Sequence, residues 1–183
     1  MRKLPFTLAV ALLAFGLAAG QEADKIGGRE LALNLGDALG DFHSSFSWGL
    51  CYNFPIDGRL RAELEMFYYF GPTEVSQTPG LAITSTGVTL GINCLFRWPL
   101  AGPRLILEAG AAWGRIAVSE TWRYSNPKHK ISKGNVDMYW GPAAGLQVRL
   151  DGQSGVRFDF RYFTIPSDGR FVPRLSMGYT LWF

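Results

Sequence analysis

From Gly155 to Phe163 the chain reads GVRFDFRYF, with Arg157, Asp159 and Arg161 on one parity and Phe158, Phe160 and Tyr162 on the other. Strict period-2 alternation is the mark of a strand whose two faces meet different surroundings. From Arg157 to Tyr162 one face is fully charged and the other fully aromatic. In a water-soluble protein the aromatics would line a core. In a membrane barrel they would face lipid, with the charges turned to the lumen.

The same alternation recurs along the chain and predicts strands over 29–36, 44–54, 59–70, 84–98, 104–121, 136–150, 156–165 and 173–183. Most of these supply the roughly 9–11 residues that a tilted membrane-spanning strand requires. The connections after the second, fourth and sixth strands are tight and rich in turn formers: PIDG, PLAGP and DGQSG. Those after the first, third, fifth and seventh are mostly longer and more polar, as in GPTEVSQTPGLAI and RYSNPKHKISKGN. An even number of strands with short turns at one end and longer loops at the other is the pattern of an outer-membrane barrel. The predicted fold is an all-β, eight-stranded antiparallel up-and-down transmembrane β-barrel.

Parity carried along the chain places Leu31, Leu33, Leu35, Phe46, Trp48, Leu64, Tyr68, Leu90, Leu107, Trp113, Trp140, Leu146, Phe158 and Phe160 outward. Inward fall Glu30, Arg61, Glu63, Glu65, Arg97, Glu108, Asp137, Arg149, Arg157, Asp159, Arg161 and Arg174, a balanced set of arginines and carboxylates. Exchanging the faces would put each of these arginines into lipid at about 2–4 kcal/mol near the midplane. A soluble lipocalin-like barrel would instead bury all of these charges in its core or show water a continuous aromatic exterior; either cost is prohibitive. Inward glycines (Gly49, Gly91, Gly110, Gly114, Gly141, Gly145, Gly178) make room for Phe67, Tyr69, Tyr139, Phe163, Trp182 and the arginines. The expected lumen is plugged by salt bridges rather than open. Pro142 falls inside the sixth strand, where a bulge is expected, and Arg115 has outward parity just beyond Trp113.

The first residues carry Arg2 and Lys3, the apolar run LPFTLAVALLAFGLAAG and a small-residue exit at Ala18 and Gly20. This predicts a cleaved signal peptide over 1–20, a short periplasmic segment over 21–28 and the barrel over 29–183. Without Arg2 and Lys3, the 18 basic side chains fall to 16 against 15 acidic ones, so the net charge of +3 is no sign of a nucleic-acid partner. Cys51 and Cys94 lie on opposite faces of strands two apart, so no disulfide is expected.

The terminal Phe183 on an alternating last strand, the segment PRLILEAGAAWG and the segment GVRFDFRY together resemble the small outer-membrane β-barrel family that includes OmpX and the barrel domain of OmpA. The resemblance covers nearly all of the chain after the signal peptide. It implies residence in the bacterial outer membrane, outer-membrane lipid and lipopolysaccharide as surroundings, and a monomer. It further implies that Tyr179, Leu181 and Phe183 form the signal read by the barrel-assembly machinery.

Chemistry-bearing motifs are sparse. In DFHSSF, His43 and Ser45 share a face with Asp41 nearby, similar to the His-x-Ser pattern of outer-membrane lipid A deacylases, in which serine attacks, histidine is the base and a carboxylate orients it. Here the pair points away from lipid and sits at the first loop rather than on a later strand. No metal-ligand spacing or phosphate-binding glycine loop is found, and no cofactor is expected. Arg123, Lys128, His129, Lys130 and Lys133 cluster in the third outer loop beside Trp122 and Tyr124, where they could meet lipopolysaccharide phosphates. The expected function is non-enzymatic, structural or surface-interacting through the outer loops. The alternatives are a lipid A-modifying acyl hydrolase and a narrow small-solute conduit.

Overall fold

In a computed structural model, residues 28–38, 45–57, 59–75, 81–100, 104–125, 128–167 and 169–183 are described. The predicted signal peptide and most of the 21–28 segment lie outside them, as do Asp41 and His43. The strands are β1 (Glu30–Ala38), β2 (Ser45–Asp57), β3 (Leu60–Val75), β4 (Leu81–Pro99), β5 (Leu105–Ser125), β6 (Lys128–Arg149), β7 (Ser154–Ile165) and β8 (Arg170–Trp182). Each pairs antiparallel with its sequence neighbours, and β1 pairs with β8 from Glu30↔Trp182 to Ala38↔Arg174, so the sheet closes into a barrel. Reciprocal backbone bonds between Arg29 and Phe183, 3.1 and 3.0 Å, finish the seam.

Exposure alternates along the spanning strands, most plainly on β7. On β7, Arg157, Asp159 and Arg161 are 1%, 4% and 1% exposed, whereas Phe158, Phe160 and Tyr162 are 46%, 40% and 36% exposed. Leu33, Leu35, Leu64, Leu90, Trp113, Trp140, Leu175 and Met177 continue the apolar exterior around the barrel. A contiguous apolar surface of this extent is a lipid-facing surface. Cross-strand aromatic pairs mark its outer rim, with Phe46 and Phe70, and Trp48 and Tyr68, each 6.5 Å apart between ring centroids.

The strands are longer than the alternation of the lipid-facing segments indicates. β4, β5 and β6 run 19, 21 and 22 residues, about twice what a bilayer needs. The segment RYSNPKHKISKGN, expected as a loop, is largely a continuation of the β5–β6 hairpin, with Glu120 opposite Lys133, Thr121 opposite Ser132 and Trp122 opposite Ile131. Above the membrane both faces of a strand meet water, so the apolar-polar contrast that marks a spanning strand fades while the backbone ladder continues. β7 ends at Ile165, and its pairing with β6 starts at Trp140↔Thr164. The upper part of β6 therefore has β5 on one side and, among the described residues, no strand on the other.

Pro142 produces no bulge. The β6–β7 ladder passes from Trp140↔Thr164 to Ala143↔Arg161 in unchanged register and omits the two positions between. Proline lacks the N–H that one rung requires, and skipping that rung costs less than shifting every side chain of β7. Register shifts occur instead between Pro55 and Asp57, next to the β2–β3 turn, and between Phe70 and Thr73, where β3 leaves the bilayer. At the β6–β7 turn, Ser154 Oγ donates to the Asp151 carboxylate at 2.7 Å and the Gln153 N–H at 2.8 Å, which holds this carboxyl below its usual range. Gly169, with φ of 69°, closes the β7–β8 turn in the left-handed region that glycine adopts without strain. Cys51 and Cys94 are both free, with β3 between their strands.

Candidate functional sites in the lumen and the outer hairpin

Inside the barrel the charges stack in three levels. At the periplasmic end, Glu30 accepts from both terminal nitrogens of Arg97, the second at 2.6 Å, from Trp182 Nε1 at 2.8 Å and from Gln147 Nε2 at 3.2 Å. Arg61 lies 3.4 Å away and donates to the Gly28 carbonyl at 2.6 Å. Arg97 also pairs with Glu108 at 2.5 Å. In the middle, Glu63 receives Arg157 at 2.6 Å, Arg161 at 2.9 Å, Asn53 at 2.9 Å and Asn93 at 2.6 Å. Asp159 bridges the same two arginines, at 2.7 Å from Arg157 and 3.3 Å from Arg161. Higher up, Glu65 accepts from Arg174 at 2.8 Å and Tyr139 at 3.0 Å. Arg174 in turn donates to Tyr69 Oη at 3.1 Å and lies 3.6 Å over the Phe67 ring.

Above this level the lumen becomes apolar. Tyr139 packs on Phe163 at 4.4 Å, and Ile116, Ile165, Val172 and Ala38 close the section. The free space among Tyr69, Ile116, Tyr139, Phe163 and Val172 is about 20 Å³, room for about one water. The buried charges are thus paired and hydrogen-bonded beneath an apolar layer.

Glycine permits this packing at one telling place. Gly91 and Gly114 face each other across β4 and β5, and a side-chain carbon on either would collide with the Tyr139 hydroxyl. The bare backbone there lets Tyr139 reach Glu65.

Of the charges expected in the lumen, Glu30, Arg61, Glu63, Glu65, Arg97, Glu108, Arg157, Asp159, Arg161 and Arg174 come together. Two do not. Asp137 sits above the apolar cap, half-buried, and accepts from Asn135 Nδ2 at 2.6 Å. Arg149 lies at the periplasmic mouth and stacks over Trp182 at 4.6 Å. Parity places a side chain on a face but not at a depth, and both residues lie outside the depth of the network. Parity alone also passes over Asn53, Asn93, Gln147, Tyr69, Tyr139 and Trp182 as network members, although all of them occupy inward positions. Cys51, Glu63 and Glu65 bring ligand atoms within 4.8 Å of one another. They do not fit a metal, because Arg157, Arg161, Arg174, Asn93 and Tyr139 already occupy the carboxylates.

The hairpin above the bilayer sorts its cations by face. Lys133 lies 5.0 Å over the Trp122 ring, and Trp122 Nε1 donates to Glu120 at 3.2 Å, forming a self-satisfied patch on the inward parity. Lys133 is thus held over Trp122 on the face opposite Arg123 and Lys130. Arg123 and Lys130 are exposed cross-strand partners on the opposite face, with Arg115 lower on that face beside Trp113. Lys128 and His129 belong to β6, paired with Ser125 and Tyr124. Ser45 opens β2 opposite Ala38, while Asp41 and His43, which the hydrolase reading needs, lie outside the described residues. On β8, Tyr179 and Leu181 face outward, 49% and 36% exposed.

A closed eight-stranded barrel with an apolar exterior and a charge-filled interior is a small transmembrane β-barrel of the outer-membrane type. Solved structures bear this out. Ail, the attachment invasion locus protein of Yersinia pestis, superimposes with a TM-score of 0.61 at 12% identity, over 85% of this chain and 97% of that one. Neisserial surface protein A gives 0.59 at 12% identity, over 85% and 96%. The N-terminal barrel domain of Pseudomonas aeruginosa OprF gives 0.52 at 12% identity, over 82% and 96%. No family model matches the chain, and no curated protein matches it by sequence. The likeness is therefore one of fold.

Proposed function

We propose that this protein is a monomeric, non-enzymatic barrel of the bacterial outer membrane. Its body is a closed plug, and its role is surface interaction through the β5–β6 hairpin. The carrying observation is that β4, β5 and β6 overshoot the bilayer by about half their length. Residues beyond the spanning band contribute nothing to crossing the membrane. A stiff sheet projecting from a sealed anchor holds a recognition surface clear of the lipid.

The closed lumen argues against a solute conduit. Purified protein in planar bilayers is expected to show no stable conductance, and a reproducible ion current would overturn the plug.

Lipopolysaccharide supplies the nearest ligand of matching charge. Arg115 beside the Trp113 girdle and the Arg123 and Lys130 pair higher on the same face would meet its phosphates in succession. Lys128 shares their parity. A fold neighbour, Ail, has been crystallised with the heparin analogue sucrose octasulfate, a polyanion of the class this face would take. Converting Arg115, Arg123 and Lys130 together to glutamine should weaken lipopolysaccharide retention in detergent about tenfold, each lost charge-assisted contact costing a fraction of that. Unchanged retention would dispose of this face. Assembly is proposed to use the alternating end of β8, Tyr179, Leu181 and Phe183, as the signal for the barrel-assembly machinery.

A further inference from the structure

The three turns that close the periplasmic end of the barrel share a composition that crossing the membrane does not require. Each carries an exposed apolar side chain. Ile56, Leu100 and Leu150 are 55%, 57% and 64% exposed. Each lies two residues beyond a lipid-facing residue of its own strand: Phe54 on β2, Trp98 on β4 and Val148 on β6. A turn standing in water is ordinarily made of polar residues. Apolar tips that extend the lipid-facing series keep these turns in the interfacial layer instead. The Phe96 and Trp98 rings, 4.5 Å apart, and the Tyr52 and Phe54 rings, 6.2 Å apart, mark the same layer.

The same end carries positive charge without a partner. Arg59 precedes β3, Arg104 precedes β5 and Arg149 ends β6. Arg59 and Arg104 are exposed, but their backbone is fixed. The Arg59 carbonyl accepts from the Arg97 N–H at 3.0 Å, and the Arg104 carbonyl from the Arg149 N–H at 2.8 Å. Two carboxylates belong to these turns, Asp57 and Asp151. Asp151 is taken up by its own turn, accepting from the Gln153 and Ser154 N–H groups at 2.8 and 2.5 Å. Among the described residues, neither carboxylate forms an ion pair with Arg59, Arg104 or Arg149. Arg149 is stacked over Trp182 at the mouth and adds its charge to the rim from there.

We infer that the rim from Arg59 to Arg149 binds anionic phospholipid of the periplasmic leaflet. The phosphodiester accepts from Arg59 and Arg104, and the acyl chains lie against Trp98, Leu100 and Leu107. Charge and apolar surface together select this occupant. A phosphodiester takes charge-assisted bonds from guanidinium groups, whose long stems can lie along the apolar tips. Phosphatidylglycerol leaves those bonds uncontested, whereas the ammonium of phosphatidylethanolamine competes for the phosphate. An acidic protein or the carboxylates of the cell wall would match the charge but would bring no chains to cover Ile56, Leu100 and Leu150. This site lies at the opposite end of the barrel from the hairpin and does not depend on the role proposed there.

The test uses the full-length protein carrying Arg115→Gln, Arg123→Gln and Lys130→Gln, so that the outer cationic face does not contribute. In detergent with equal phosphatidylglycerol and phosphatidylcholine, native mass spectrometry should show the first lipid adduct favouring phosphatidylglycerol at least about tenfold, at about fivefold for each arginine. Adding Arg59→Gln and Arg104→Gln should bring the two lipids near parity, while Arg59→Lys with Arg104→Lys should keep most of the preference. Position is read separately in vesicles. Brominated phosphatidylglycerol should quench Trp98 emission, taken as the difference from the Trp98→Phe variant, more strongly than brominated phosphatidylcholine does. A preference unchanged by the two rim glutamines would overturn the inference, as would equal quenching of Trp98 by the two lipids. Loss of cosedimentation with isolated cell wall in the rim variant, with lipid preference intact, would also overturn it and assign the rim to the wall.

Discussion

Replacing Glu63 by alanine is expected to lower the unfolding free energy by about 3–5 kcal/mol, the usual cost of leaving buried charge without its partner. Glu63 is fully buried and stands between Arg157 and Arg161, with Asn53 and Asn93 completing its hydrogen bonds. Without it the middle level retains two arginines against Asp159, and the nearest remaining carboxylate oxygens, on Glu108 and Glu65, lie 3.7 Å from Arg157 and 4.0 Å from Arg161. Urea unfolding of the barrel in detergent, followed by tryptophan emission, measures the change. Glu63→Gln, which keeps the shape and two acceptor lone pairs, should recover part of the loss. A Glu63→Ala barrel as stable as the wild type would mean that water enters the lumen and solvates the arginines, so the plug would not be dry.

Leu64→Arg is the second large effect. Leu64 neighbours Glu63 in sequence but faces the opposite solvent, 42% exposed midway along the lipid-facing part of β3. An arginine there should cost about 2–4 kcal/mol, as expected at the bilayer midplane. Ser119→Arg provides the contrast. Ser119 also has outward parity, but it lies on the hairpin above Arg115 and Ala117, where the cost should fall to about zero to 1 kcal/mol. Equal costs at both positions would mean that the hairpin is embedded in lipid rather than projecting above it.

The wall of the barrel was legible because each spanning strand divides two unlike media. Wherever lipid lies on one side, every second residue reports it, and Arg157 against Phe158 is unambiguous. The reading weakened where that contrast ends. Arg123 to Gly134 looked like a loop because water wets both faces, although the backbone pairing there is as regular as in the membrane. Depth was the other hidden coordinate. Asp137 and Arg149 have the right parity for the charge network, but one lies above the cap and the other at the mouth. The specific partners, such as Tyr139 reaching Glu65 past Gly91 and Gly114, depend on how the barrel closes. Pairing across the lumen joins residues far apart in the chain, which local periodicity cannot encode.

The three-level network also has a temporal meaning. Glu30 opens β1, yet it is satisfied by Arg97 on β4, Gln147 on β6 and Trp182 on β8, the last separated from it by 152 positions. During assembly the first strand must wait, its carboxylate incompletely met, until the final strand arrives. The last two bonds to that one side chain form only as the sheet closes, so Glu30 acts as a latch. A barrel with its seam still open leaves this buried carboxylate short of two hydrogen bonds, a built-in penalty against stopping short of the closed ring.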